Sequence, residues 1–202
     1  MKIRYHTALK GFKPVDMTVI SMARGLSAYL CYLYARRSKT IFSEYLLRVP
    51  FIEIAQAYQW DFESEFKLYH DPTHPKKGSY KKIDYVIAYN KQVVAIETKF
   101  RGDKGDLRVD IKGDFNKLNN IFKEDPRIEP FEKKSAYIFI AASKYIFKSL
   151  RLKGIPETND IDENRLQKEY RRKRNILKPW DSFITSNKIG LKEYCVKAIK
   201  VY

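Results

Sequence analysis

Two acidic residues and a lysine near the middle of the chain have the types and spacing of a metal-assisted hydrolytic site. Asp84 lies in one apolar stretch, and Glu97 and Lys99 lie in the next one. Side chains alternate between the faces of a β-strand, so Glu97 and Lys99 share a face. Hard cations such as Mg²⁺ are held by one or two carboxylates together with substrate phosphate oxygens. The three residues therefore suggest phosphodiester chemistry, provided that the neighbouring elements bring them together.

The stretch 83–99 predicts the β-hairpin that would do so. Both halves are rich in Val, Ile and Tyr, and the polar break between them is Asn90-Lys91. A two-residue turn at this break defines an antiparallel register in which Asp84 lies opposite Glu97, with Cβ atoms roughly 5 Å apart. Like charges in that position destabilise a bare hairpin. A divalent cation between the carboxylates would remove the repulsion.

The order Asp, apolar run, Glu-x-Lys resembles the PD-(D/E)xK nuclease superfamily, whose members have the restriction-endonuclease-like fold. Here the motif is Ile83-Asp84 followed by Glu97-Thr98-Lys99, without the proline that often precedes the Asp. The resemblance covers about positions 40–142, in the order helix, strand, Asp strand, Glu-x-Lys strand, helix, strand. It implies an α/β protein with a mixed β-sheet core flanked by helices.

The resemblance also implies roles for individual residues. Asp84, Glu97 and the main-chain carbonyl of Thr98 would hold Mg²⁺ or Mn²⁺, and Lys99 would orient the attacking water and stabilise transition-state charge. Each residue has an ordinary alternative as well. Asp84 alone can be a surface acid, and Glu97 with Lys99 can be an exposed ion pair worth well under ~1 kcal/mol. The coincidence of register, shared face and family order favours the metal site.

Two further candidates have competing explanations of nearly equal weight. Glu44 lies on the predicted first helix, where the resemblance implies an additional catalytic acid, but Arg48 four residues later makes an ordinary helix ion pair with it equally natural. Glu53 and Glu65 are weaker substitutes. Lys117, on the helix after Glu-x-Lys, can contact a phosphate or can be a solvated helix lysine.

The remaining pattern predicts a single domain over residues 1–202. Its parts are a helical lead-in over 1–39, a nuclease-like core over about 40–142, and a basic C-terminal elaboration with a terminal strand over 143–202. The predicted elements are a helix from Asp16 to about Arg37, a helix that Pro50 kinks or breaks, a strand over 62–69, a helix over about 109–122, a strand over 136–142, a charged helix over 163–174 and a half-exposed strand over 195–202.

The charge balance is strongly basic. Forty Lys and Arg residues against 24 Asp and Glu residues give a net charge of +16, which favours a nucleic-acid partner over a merely lysine-rich solvated surface once the acidic site is considered. The predicted nucleic-acid contacts are Lys76, Lys77, Lys81, Lys82, Arg101, Lys104, Lys117, Arg171, Arg172 and Arg174. Such contacts position a backbone without reading its sequence.

Composition excludes several other classes. No apolar run approaches the ~20 residues of a membrane span, and the N-terminus lacks a signal-peptide core, so we expect a cytoplasmic protein without a membrane partner. Cys31 and Cys195 give neither a disulfide framework nor zinc spacing. His70 and His74 bracket a loop with poor zinc geometry. Phosphate-binding glycine loops and nucleophile triads are absent from the sequence.

The sequence thus predicts a Mg²⁺-dependent endonuclease, and we expect its substrate to be DNA and not RNA, although the charge itself indicates only a polyanion. One active site cuts one strand, so the resemblance also suggests a homodimer or a protein partner. Two alternatives stay open. One is a nucleic-acid-binding protein that keeps the fold without catalysis, and the other is a nuclease subunit of a larger complex that is silent until a partner activates it.

Overall fold

The structure is a computed structural model that describes residues 15–36, 47–68, 82–101, 108–153, 156–162, 165, 168 and 177–202. Its elements are α1 (Val15–Ala35), α2 (Arg48–Ala57), β1 (Asp61–Lys67), β2 (Lys82–Tyr89), β3 (Gln92–Arg101), β4 (Arg108–Asp110), α3 (Lys112–Glu124), β5 (Lys133–Ser143), α4 (Lys144–Ser149), β6 (Arg151–Lys153), β7 (Asn159–Asp160), β8 (Asp181–Ile189) and β9 (Lys192–Lys200).

A seven-stranded mixed sheet organises the described chain. Its strand order is β1-β2-β3-β5-β9-β8-β7, and β4 pairs with β6 in a separate two-stranded sheet. The first three strands are antiparallel neighbours, and α3 then carries the chain to β5, which is parallel to β3. The prediction of an α/β protein with a mixed sheet flanked by helices is confirmed.

The central hairpin forms with the predicted register. Asn90 and Lys91 make the turn, Tyr89 pairs with Gln92, and the ladder continues as far as Tyr85 and Ile96. Asn90 has a φ of 55°, a left-handed conformation that Asn tolerates better than most residues. Local turn chemistry and β-branched strands are therefore sufficient to specify this hairpin.

Each face of the sheet buries its own hydrophobic cluster. Helices α1 and α2 cover one face, where the largest buried side chains include Phe51, Tyr137 and Phe139. Helix α3 covers the other face and packs Leu118 and Ile121 against the even-numbered residues of β5. The sheet is thus buried on both sides, which explains why the central part of β3 is a continuous apolar run.

Strands β1 and β2 change faces next to Asp84. Phe62 and Tyr85 pack with the α1–α2 cluster, whereas Phe66 and Ile83 belong to the α3 cluster. Strict alternation would keep Ile83 and Tyr85 on one face. Glu65, which lies between the paired residues on β1, has a φ of 55°. The left-handed conformation of Glu65 thus coincides with the point at which β1 and β2 change faces.

Pro50 lies in the first turn of α2, where its missing N–H has no helical partner to lose. The part of the predicted helix before residue 47 lies outside the described residues. The prediction of a half-exposed C-terminal strand was wrong, because β9 runs between β5 and β8 and most of its residues are buried. Two of its lysines reach carboxylates, with Lys197 2.7 Å from Asp160 and Lys200 3.6 Å from Asp16.

A buried polar network ties α1 to the sheet. The Tyr137 hydroxyl donates to Asp16 Oδ1 at 2.6 Å, and the Leu177 N–H donates to Asp16 Oδ2 at 2.9 Å. Lys200 Nζ donates to the Leu177 carbonyl at 2.8 Å. Full burial raises the pKa of Tyr137, and the adjacent Asp16 acts in the same direction. Within the described residues, none of the helices is long and apolar enough to cross a membrane.

Candidate active site

Asp84 lies one residue beyond the last ladder pair of the β2–β3 hairpin. Continuing the register by one step sets it opposite Glu97. Its Oδ2 accepts two hydrogen bonds from Thr98, one from the backbone N–H at 2.7 Å and one from the hydroxyl at 2.8 Å. The N–H and C=O of a strand residue point to the same side, so the Thr98 carbonyl also faces β2. Asp84 is thereby held in a defined orientation at the end of the ladder.

Glu97 is buried on the face of β3 that α3 covers. Its side chain is 1% exposed, and its Oε1 lies 2.7 Å from Lys117 Nζ. Burial and the nearby charge of Asp84 raise the pKa of Glu97 to about 8, although Lys117 opposes this shift. Two carboxyls brought together by a hairpin resist being ionised at once.

Asp114 completes the cluster, and the sequence analysis missed it. It lies in the first turn of α3, its side chain is 9% exposed, and its carboxylate contacts Lys99 Nζ at 2.9 Å and Lys117 Nζ at 3.3 Å. An acid is favourable there because of the partial positive charge of a helix N-terminus. The available signal was the Asp114–Lys117 spacing of three residues, which places both side chains on one helix face.

The two lysines of the site serve as counterions within it. Lys117 also donates to the Lys82 carbonyl at 3.3 Å. Burial would lower the pKa of Lys117, but its contacts with Glu97 and Asp114 outweigh that effect and raise it. Lys117 is therefore not a solvated helix lysine but an ion-pair partner of Glu97 and Asp114, and its contact with a phosphate stays a prediction. Lys99 keeps 27% of its side chain exposed and has access to solvent.

The other predicted contact residues fall into two groups. Lys82 is exposed at the start of β2 and pairs with Glu65 at 2.8 Å, and Arg101 is half-buried at the end of β3. Ten further residues lie in parts of the chain outside the described residues, namely the predicted acid Glu44, the predicted basic contacts Lys76, Lys77, Lys81, Lys104, Arg171, Arg172 and Arg174, and the histidine pair His70 and His74.

The donor set at this site suits a hard divalent cation. Asp84, Glu97 and the Thr98 carbonyl supply only oxygen atoms, which Mg²⁺ prefers, and Mg²⁺ needs only one or two protein carboxylates. The raised pKa of Glu97 has repulsion from Asp84 among its causes, which a cation would remove. Among the described residues, no three acidic, His or Cys side chains already form a metal-binding group. Glu97 and Asp114 are instead engaged by lysines.

Comparisons with protein-family models, with curated proteins and with solved structures found no match to this chain. Functional inference therefore depends on the site itself.

Proposed function

We propose that this protein is a metal-dependent endonuclease that hydrolyses phosphodiester bonds, with DNA favoured over RNA. The observation that carries the proposal is the closeness of Asp84 to the buried Glu97, where burial and repulsion raise the pKa of Glu97 to about 8, with Lys99 two residues further along β3. A divalent cation bound between two carboxyls that repel each other would remove the repulsion and favour their ionised forms. The net charge of +16 supports a polyanionic substrate.

The order of elements supports a restriction-endonuclease-like core. The superfamily resemblance implies helix, strand, Asp strand, Glu-x-Lys strand, helix and strand, and α2, β1, β2, β3, α3 and β5 follow this order. The antiparallel run β1-β2-β3 and the parallel β3–β5 pair give the sheet its mixed character. Strands β7, β8 and β9 extend the sheet beyond β5.

The residues divide the work of hydrolysis. Bound by Asp84, Glu97 and the Thr98 carbonyl, Mg²⁺ or Mn²⁺ would neutralise the phosphate, activate water and stabilise the leaving oxygen. Thr98 orients Asp84 through two hydrogen bonds. Lys99 is partly exposed and can donate to the attacking water or to a phosphate oxygen. Its ammonium already contacts the Asp114 carboxylate at 2.9 Å, so positioning and electrostatic stabilisation suit Lys99 better than a role as general base.

One observation favours a second candidate, a nuclease subunit that a partner or substrate must activate. Lys117 already occupies the carboxyl of Glu97, and Lys99 occupies that of Asp114. A site neutralised by its own lysines has to open before it binds a metal. A folded protein that binds DNA in a salt-sensitive manner, retains binding in Asp84→Ala and never cuts would support this candidate or a purely binding role.

The decisive experiment is cleavage of supercoiled plasmid, single-stranded DNA and RNA, with Mg²⁺ or Mn²⁺ and with chelator. We expect metal-dependent cutting that Asp84→Ala and Lys99→Ala each abolish, and that exposed Glu157→Gln leaves unchanged. Cutting that survives in chelator or in both site variants would contradict the proposal. The substrate that is cut identifies the substrate class.

A further inference from the structure

A groove with exposed lysines and two exposed apolar side chains lies at one end of the sheet, separate from the acidic cluster. It is formed by α4 and by the β8–β9 hairpin and encloses about 340 Å³. The residues that matter, which we call the lysine groove, are Lys144, Tyr145, Lys148, Lys188, Leu191 and Lys192. The sequence analysis assigned no role to any of them.

The local structure forces the two large apolar side chains of the lysine groove into solvent. Ile146 is buried and anchors the short helix α4, which leaves its neighbour Tyr145 82% exposed. Gly190, with a φ of 57°, forms the tight β8–β9 turn and presents Leu191 fully exposed at the tip. A single exposed apolar residue is ordinary, but an exposed ring beside exposed lysines forms a surface on which an unpaired base can stack.

The charge of the groove is strongly positive. Four lysines line it against one carboxylate, Glu193, which Lys144 already neutralises at 2.7 Å. Lys148 and Lys188 are exposed at the surface. Positive charge that follows a phosphate backbone, combined with an aromatic ring, is the pattern of single-strand binding. Duplex DNA keeps its bases stacked inside, so it could use the lysines but not Tyr145.

The groove lies at the same end of the sheet as the candidate active site. Lys99 is beside Ile140 on the neighbouring strand β5, and Ser143, where the groove begins, is three residues further along β5. That separation is about 10 Å along the strand. A strand that passes the acidic cluster can therefore continue into the groove.

We infer that the lysine groove binds a single-stranded segment of nucleic acid, with a base on Tyr145 and phosphates on the lysines. The groove would guide the strand that is cut only if the protein is a nuclease, so that role rests on the proposed function. Single-strand binding does not rest on it, because the groove contains no residue of the acidic cluster.

The test is binding of a fluorescent single-stranded oligonucleotide and of a blunt duplex, in chelator, so that cleavage plays no part. We expect Tyr145→Leu to weaken single-strand binding by about 5- to 150-fold, the range that loss of one stacked base gives. Blunt-duplex binding should change far less. The matched control is Tyr202→Leu, since Tyr202 is 45% exposed at the opposite end of β5.

Salt dependence tests the lysines separately. Lys148→Ser with Lys188→Ser should reduce the slope of log affinity against log salt by about 1.4, two single-strand phosphate contacts at about 0.7 each. Lys123→Ser with Lys133→Ser, at the other end of the sheet, is the control pair. A slope unchanged by the groove pair, or a loss equal to that of the control pair, would overturn the inference.

Other outcomes separate the two proposals. Single-strand binding through the groove by a protein that cuts nothing would leave the inference standing and refute the proposed function. Metal-dependent cutting by a protein whose single-strand binding is unaffected by Tyr145→Leu would support the proposed function and refute the inference about the groove. Equal losses on duplex and single strand would refute base stacking. Displacement by polyglutamate, together with insensitivity to Tyr145→Leu, would assign the groove to an acidic protein partner and overturn the inference.

Discussion

Replacing the buried Glu97 by Gln should make the metal-free protein more stable, and increasingly so as the pH rises. Burial and repulsion from Asp84 raise the pKa of Glu97 from 4.5 to about 8. Between these values the folded chain holds a proton at Glu97 that the unfolded chain has released. The unfolded state therefore binds fewer protons, and the stability of the wild type falls with rising pH in this window. Gln cannot ionise, so Glu97→Gln lacks this loss.

The size of the effect follows from the width of the window. Each pH unit inside it lowers the free energy of unfolding by up to about 1.4 kcal/mol, and the whole window amounts to about 5 kcal/mol. Glu97 is 1% exposed, so solvent screening removes little of this. The stabilisation that the protonated Glu97 carboxyl gives the folded state is fully present below about pH 4.5 and is lost as the pH rises to about 8.

Urea unfolding of wild type, Glu97→Gln and the exposed control Glu157→Gln, in chelator at pH 5, 6 and 7, measures this directly. The free energy of unfolding of Glu97→Gln minus that of the wild type should grow by about 1 kcal/mol per pH unit. The same difference for the control Glu157→Gln should not change with pH. Saturating Mg²⁺ should flatten the trend, because a bound cation favours the ionised carboxylate. A difference that does not depend on pH would refute a buried Glu97 carboxyl with a raised pKa.

Three further predictions concern partners of the buried carboxyls. Lys117→Met should lower the free energy of unfolding in chelator by about 3 kcal/mol, since the buried Glu97 and Asp114 carboxyls lose their ammonium partner. Adding Mg²⁺ should restore part of the lost stability, measured as a rise in the melting temperature of the variant. Thr98→Val should reduce metal-dependent cleavage about tenfold, because Asp84 keeps only its backbone hydrogen bond, as initial-rate assays would show. Tyr137→Phe should cost about 1–3 kcal/mol in urea unfolding, because Asp16 loses a buried donor.

Each of these predictions has an outcome that contradicts it. Unaltered stability of Lys117→Met in chelator would mean that the ammonium does not compensate the acids. Undiminished cleavage by Thr98→Val would remove Thr98 as the residue that orients Asp84. Tyr202→Phe, an exposed hydroxyl at the chain end, is the control for Tyr137→Phe, and equal losses in the two variants would show that the buried hydroxyl has no special role.

The parts of the fold that depend on neighbouring residues could be predicted from the sequence. The β2–β3 hairpin is specified by Asn90-Lys91 and by the flanking β-branched residues, so its register follows from local chemistry. The helices α1 and α3 follow from apolar spacing. Strand β8 was missed, because Asp181–Ile189 mixes polar and apolar residues without the run that marks a buried strand.

The expectations that failed were those that depend on how elements are placed in the sheet, such as the predicted half-exposure of the C-terminal strand. The alternation of β9 is the same at an edge or in the interior, and only the presence of β8 beside it decides the matter. The twist at Glu65 is likewise invisible in sequence, because a positive φ there goes against the preference of a Glu residue. Asp114 required knowing that the first turn of α3 lies over Glu97 and Lys99, which is a tertiary fact.

Lys117 shows how the candidate site reconciles folding with binding. A hairpin that sets Asp84 beside Glu97 is electrostatically unfavourable in the folded chain, and two effects relieve this: the pKa of Glu97 is raised, and the Lys117 ammonium of α3 lies beside its carboxyl. A metal ion held by Asp84 and Glu97 would favour the ionised carboxylate and would replace this ammonium, so metal binding should release protons and free Lys117. The freed ammonium would then lie beside the bound phosphate, where the sequence analysis had expected Lys117 to act.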